Sequence, residues 1–271
     1  MKLAVNQATL MKTPMESILK AISEAGFEGV ELRRDETFQY LENHSVSELK
    51  TLLEDNNLEC ITFNAVELFS LCSENEFRKI YVYTERLMEI GTQIGCDTII
   101  TVPSFLEGLT MSDDQIAEKT VNRLKRLADL ADKHSFKLGF EPLGFPNNSV
   151  RKLDLALKII NSEQLPSMGL IIDTFHYFVG ENPLDDLEKI PLDQLWLVHI
   201  NDAIEKPFNQ LQDSHRVLPC QGFFNLEMFI TKLREIGYER WLSLELFNED
   251  LWTQDPLKVS KEAMNSLKSL L

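Results

Sequence analysis

Apolar and polar positions along this chain follow two rhythms that take turns. Short runs rich in Ile, Val and Leu recur at Leu3–Asn6, Gly29–Arg33, Leu58–Asn64, Thr98–Pro103, Lys137–Glu141, Gly169–Asp173, Leu195–Asn201 and Trp241–Leu246. Runs of this length and composition suit strands covered on both faces. Between them, apolar residues return every three or four positions, as on the inner face of a helix.

The junctions carry matching punctuation. Thr13-Pro14-Met15-Glu16 predicts a helix start with proline in the first turn, and Ile18, Leu19 and Ile22 form its apolar face. Ser112-Asp113-Asp114-Gln115 opens a second helix, continued by Ile116, Val121, Leu124, Leu127 and Leu130. Asn225 precedes a third, with Leu226, Phe229, Ile230 and Leu233 facing inward. Ala25-Gly26-Phe27, Ile94-Gly95-Cys96 and Ile236-Gly237-Tyr238 place glycine where a left-handed helix cap is needed, each shortly before a strand. Eight such units in 271 residues amount to about 34 residues each, near the ~30-residue scale of a βαβ unit. The expectation is an α/β fold in which residues 1–271 form a single (β/α)8 TIM barrel. The rival is a doubly wound open sheet. Against it, the first βα turn, Asn6-Gln7-Ala8-Thr9, has no glycine-rich phosphate fingerprint. Walker-type and GxSxG motifs are also absent from the sequence.

Composition narrows the partners. The chain is 44% hydrophobic and 26% charged, and carries a formal net charge of −16. That charge repels phosphate backbones, and neither Arg33-Arg34 nor the Arg123–Arg126 region makes a basic stripe. Nucleic acid and anionic membranes are therefore excluded as partners. Cys60, Cys72, Cys96 and Cys220 form no zinc framework and read as buried free thiols of a cytoplasmic protein. The N-terminus, Met1-Lys2-Leu3-Ala4-Val5-Asn6, reads as a strand rather than a signal peptide. No apolar run reaches the roughly 18–20 residues of a membrane span.

In a (β/α)8 barrel the chemistry sits where strands end at the C-terminal face. Those ends read Asn6, Glu31-Leu32-Arg33, Asn64, Pro103, Glu141, Asp173, His199 and Glu245. Glu141, Asp173, His199 and Glu245 thus occupy equivalent places on strands five to eight. Carboxylates flanked by apolar residues, as in Leu138-Gly139-Phe140-Glu141, need a partner when buried. A divalent cation shared by three carboxylates and an imidazole would supply it, and Mn, Mg, Co or Zn all suit that donor set. His176 and Arg216 stand close enough in sequence to reach a substrate, whereas His215 is a weaker candidate for a second metal. The remaining acids read as solvated surface.

These residues, set in GFEP, IIDTFH, VHIND, DSHR and LSLEL, resemble the xylose-isomerase-like barrel family of sugar isomerases and epimerases. NQATL, FNAV, EPLGFP, DTFHYF, VHINDA and RVLPCQG resemble its inosose (2-keto-myo-inositol) isomerase subgroup in particular. Two departures stand out. Pro219-Cys220-Gln221-Gly222 replaces a Pro-Gly-x-Gly loop, and Phe247-Asn248-Glu249 lacks the arginine common after the last glutamate.

The resemblance implies Glu141, Asp173, His199 and Glu245 as ligands of one divalent metal ion, with Glu141 and Glu245 doubling as the acid/base pair. His176, Arg216, Asn6 and Asn64 would contact substrate. The implied reaction moves a proton between neighbouring carbons of a keto-polyol through an enediolate that the metal stabilises, as a step of inositol catabolism. Ketose 3-epimerase, hydroxypyruvate-type isomerase and inosose dehydratase chemistry remain open on the same site, as does a homo-oligomer. A noncatalytic sugar-binding barrel would lack one of the two glutamates. The apurinic-site endonuclease branch would need more than the five histidines and a basic rim.

Overall fold

The computed structural model describes residues 1–162 and 168–271. Eight parallel strands close into a barrel: β1 (Lys2–Asn6), β2 (Gly29–Arg33), β3 (Glu59–Glu67), β4 (Thr98–Val102), β5 (Lys137–Phe140), β6 (Met168–Asp173), β7 (Leu195–Ile200) and β8 (Trp241–Leu244). Each pairs with its sequence neighbours. Closure joins β1 to β8, with Lys2 opposite Trp241 and Val5 opposite Leu244. All eight expected strands are present. β3 runs three residues further than its apolar run suggested, through Glu67, and its register against β2 shifts at a bulge between Val30 and Glu31.

The connecting helices are α1 (Met15–Ala25), α2 (Arg34–Tyr40), α3 (Val46–Asp55), α4 (Glu74–Ile94), α5 (Asp113–His134), α6 (Leu153–Ser162), α7 (Thr174–Val179), α8 (Leu226–Glu235) and α9 (Pro256–Leu270). Local chemistry sets their ends. Ser45, Ser73 and Ser112 each close a capping box, satisfying backbone N–H groups that the first helical turn leaves free. Gly26 and Gly95 terminate α1 and α4 in the left-handed conformation, with φ of 95° and 87°. Two expected boundaries move by a residue. Pro14 caps α1 instead of lying in its first turn, and Ile236 caps α8, leaving Gly237 just beyond at φ 80°.

Apolar side chains form two bodies. The larger fills the space between sheet and helices. The smaller, Ala4, Ile61, Ala65, Ile100, Val102, Ile171 and Leu197, lies inside the barrel. Strand alternation places polar residues further along the same inward faces, at Glu31, His199 and Ser243, and then at Asn6, Glu141, Asp173 and Glu245. The barrel is therefore dry below and polar toward its C-terminal mouth. No described helix is long and apolar enough to cross a membrane. Cys60 and Cys96 are buried free thiols as expected, but Cys72 is half-buried and Cys220 is exposed, because its loop rides on the rim.

Candidate metal centre

Four strands deliver one ligand-type side chain each to the C-terminal mouth. Glu141 follows β5, Asp173 ends β6, His199 is one residue from the end of β7, and Glu245 follows β8. All four are buried, and one ligand atom from each lies within 4.8 Å of the others. His199 Nδ1 is 2.9 Å from Glu141 Oε1, 3.5 Å from Glu245 Oε2 and 3.8 Å from Asp173 Oδ2.

The residues expected to contact substrate surround this cluster in three ways. Asn6 Nδ2 and Asn64 Nδ2 donate to Glu245 Oε1 at 2.9 and 3.1 Å, so both orient that carboxylate. Arg216, in the long segment after β7, is wholly buried at the start of a short antiparallel ribbon between Asp202–Ala203 and Arg216–Val217. Its Nη1 donates to Asp173 Oδ2 at 2.7 Å and to Glu245 Oε2 at 3.1 Å, and its Nη2 to Asp213 Oδ1 at 2.7 Å. His176 lies in α7, whose N-cap is Asp173; its Nε2 is 3.0 Å from Arg216 Nη2, and its Nδ1 has no hydrogen-bond partner. His215 stands apart, against Lys206 Nζ at 2.8 Å.

A cavity of about 260 Å³ opens over these groups, lined by Asn64, Glu141, His176, Arg216 and Glu245, with Arg33 at one side and Phe105, Phe145 and Phe247 among its walls. A larger hollow of about 550 Å³ at the opposite mouth holds Trp196, Trp241 and the ion pairs Lys2–Glu59 and Lys137–Asp97. It lacks converging ligand-type groups and lies on the face that barrels use for stability.

Sequence reasoning misses two buried polar residues of the centre. Asn201 donates to Asp173 Oδ2 at 2.8 Å, and its presence in VHIND was the available signal. Glu31 is a strand-end acid that its sequence surroundings do not distinguish from surface charge. It is fully buried, and its carboxylate lies 3.1 Å from His199 Nε2. Asp202 is likewise buried, accepting from the N–H groups of Ala203, Gly222 and Phe224.

Electrostatics follow from this crowding. Burial pushes the Glu245 carboxyl up to about 8 and the Glu141 and Asp173 charges add to that, against the pull of His199 and Arg216. Burial also raises Asp173, but Arg216, His176 and His199 outweigh it and bring the carboxyl down to about 2. Burial disfavours a charged His199, yet Glu31, Glu245 and Glu141 hold the imidazolium well above its usual range. Three carboxylates and an imidazole in a dry, anion-rich site are a donor set that fits a divalent cation, and they could hold one.

Comparison with known proteins identifies relatives over nearly the whole chain. An inosose isomerase of Halalkalibacterium halodurans is 27% identical over 267 residues, covering 97% of this chain and 94% of its own length. An inosose isomerase of Bacillus subtilis is 26% identical, covering 93% and 91%. A 3-dehydroshikimate dehydratase of Pseudomonas putida is 26% identical over 93% of this chain, which spans 39% of that longer protein. Among solved structures, the IOLI protein with a bound zinc atom superposes with a TM-score of 0.95 at 25% identity, covering 100% of this chain and 98% of its own. The model of the xylose isomerase-like TIM barrel family matches residues 19–270, and this chain belongs to that family.

Proposed function

We propose that this chain is a divalent-metal-dependent isomerase of a keto-polyol, acting on an inosose in inositol catabolism. The observation that carries the reading is the convergence of Glu141, Asp173, His199 and Glu245 on one point beneath a small cavity. The inosose isomerases among its relatives support the substrate. A cavity of about 260 Å³ is below the ~300–1,000 Å³ typical of drug-sized ligands and suits a small polyol ring.

Glu141, Asp173, His199 and Glu245 would hold the cation; once bound, it would polarise the substrate's adjacent carbonyl and hydroxyl oxygens and favour loss of the carbon-bound proton. The chain's own groups do the rest. Glu141 and Glu245 both face the cavity, so one takes the proton from the hydroxyl-bearing carbon and it, or the other, delivers a proton to the neighbouring carbon, while the hydroxyl proton passes to the former carbonyl oxygen. Asn6 and Asn64 hold Glu245 in place for that transfer. Arg216 is fixed by Asp173 and Asp213, lies over the Phe175 and Phe247 rings, and reaches the cavity wall where substrate hydroxyls would lie. His176 lines the same wall, its Nε2 3.0 Å from Arg216 Nη2, where substrate hydroxyls would meet it. Phe105, Phe145 and Phe247 limit water around the reacting carbons. Residues 1–271 act as one barrel unit in the cytoplasm, in keeping with four free thiols, Cys60 and Cys96 of them buried.

Incubating the metal-supplied protein with a panel of inososes and ketoses in heavy water, followed by NMR, tests this reading. Isomerised inosose with deuterium at one carbon supports it. A dehydrated product instead would align the chain with its dehydratase relatives, and silence across the panel would leave a sugar-binding barrel.

A further inference from the structure

Glu31 is a further carboxylate inside the barrel, and neither the proton transfer nor the four converging ligand atoms involve it. It lies in the middle of β2 and is wholly buried. Taking a carboxylate out of water is strongly unfavourable unless its oxygens are occupied. Here each partner comes from a different strand. Thr62 Oγ1 of β3 donates to Oε2 at 2.8 Å, Ser243 Oγ of β8 donates to Oε1, and His199 Nε2 of β7 lies 3.1 Å away. The interior just below is apolar, formed by Ala4, Ile61, Ile171 and Leu197, so this polar knot is a local departure from the barrel's own packing. A bulge contributes to it. The register shift between Val30 and Glu31 sets Thr62 opposite Glu31, one residue on from where uninterrupted pairing would place it.

The two nitrogens of His199 face different tasks. Nε2 meets an oxygen pair that already accepts from two hydroxyls, so it carries a proton; without one, two acceptors would oppose each other in a dry site. The lone pair of the neutral ring then belongs to Nδ1, the nitrogen directed at Glu141, Asp173 and Glu245. We propose that Glu31 is a positioning residue of the cation site: it fixes the ring orientation and tautomer of His199 and places one negative charge behind that ligand. The inference rests on the metal reading above. Carboxylates behind histidine ligands act in this way elsewhere, and losing one weakens metal binding by about 10–100-fold.

The test is Co²⁺ affinity, followed by absorption under chelator competition, for the full chain and its Glu31→Gln and Glu31→Leu variants. Gln keeps an acceptor for Nε2–H but loses the charge; Leu loses both. The expected weakening is about 10-fold for Gln and about 100-fold for Leu. Nitrogen NMR of the zinc-loaded protein labelled in histidine gives a second readout, with the His199 signals identified by their loss in His199→Gln. The wild type is expected to show a protonated Nε2 and a proton-free Nδ1, and Glu31→Leu a mixture. A residue that merely fills space would alter thermal stability and leave both readouts unmoved. Glu31→Leu with Co²⁺ affinity within threefold of wild type and an unchanged tautomer overturns the proposal. Should the Leu variant fail to fold, Gln carries the test, and a change under threefold overturns it equally. A wild-type protein that takes up no metal overturns the metal reading and this inference together, whereas wild-type uptake with unaffected variants overturns only the role of Glu31.

Discussion

Glu245→Gln separates chemistry from folding most cleanly. The side chain keeps its shape. Its Oε1 accepts from Asn6 and Asn64, and an amide oxygen in that place retains both bonds. The other end then turns an NH2 group toward Arg216 Nη1, 3.1 Å away, setting donor against donor. One lost buried bond of this kind costs about 1–3 kcal/mol. Against that, burial and the Glu141 and Asp173 charges push the metal-free carboxyl up to about 8, so a neutral side chain in its place relieves repulsion that the carboxylate meets there. The net expectation is a loss of about 1 kcal/mol, or about 2–4 °C in Tm for a chain of this size. Turnover responds on another scale. Losing a positioned acid/base group lowers the rate by about 10²–10⁴-fold, equivalent to about 3–5 kcal/mol of transition-state stabilisation. The assay is kcat/KM for inosose isomerisation by NMR at saturating metal, with circular dichroism and metal stoichiometry on the same preparation. A folded, metal-replete Gln variant within tenfold of wild-type kcat/KM would refute the acid/base role.

Four further outcomes are expected. Chelation should lower Tm, since a cation at 100 times its Kd adds about 2.7 kcal/mol, about 5–10 °C for this chain length; calorimetry with and without chelator showing no shift would contradict the site. The metal-free protein should lose stability as pH rises from about 5 to 8, followed by thermal melts across that range. Glu245, with its carboxyl raised to about 8, and His199, also raised, both contribute stability that is fully present below their unfolded values and lost through their folded ones; Asp173, lowered to about 2, contributes above its ordinary range and yields only in strong acid. Arg216→Met leaves Asp173 and Glu245 without their buried cation and should cost about 3–5 kcal/mol in urea unfolding of the metal-free protein; a loss under 1 kcal/mol would mean that the pairing is not what holds the carboxylates together. Gly144→Ala would set a Cβ 2.3 Å from the His176 carbonyl oxygen and 2.5 Å from the Gly180 nitrogen, both backbone, with an expected loss of about 1–3 kcal/mol; an unchanged denaturation midpoint would show that this turn has slack.

Much of the barrel was legible because its signals are local. Short Ile-, Val- and Leu-rich runs, the Ser112 capping box and glycines at Gly26 and Gly95 act over a few residues, and the eight strands and several helix ends followed from them. The four ligand-type residues were legible for a related reason: in a barrel of parallel strands, the end of one run is spatially equivalent to the end of the next. Arg216 was harder. Its sequence surroundings resemble an exposed loop, and its burial arises from Asp173, Asp213 and Glu245, of which Asp173 ends β6 and Glu245 follows β8.

The sequence by itself determined the eight βα units, their order and the residues available at the C-terminal mouth. Only the tertiary structure decided that Glu31 is buried inside the barrel and not part of the charged surface. Glu31 sits in an apolar run much like the others, and nothing within a few residues of it announces a partner. Its three partners are Thr62, His199 and Ser243, the last 212 residues away in sequence. They meet because β8 closes onto β1 and a bulge shifts β3, and both are consequences of long-range pairing that no local pattern encodes. Burial and pairing are properties of the closed barrel, and they separate a carboxylate such as Glu31 from the many that only keep the surface charged.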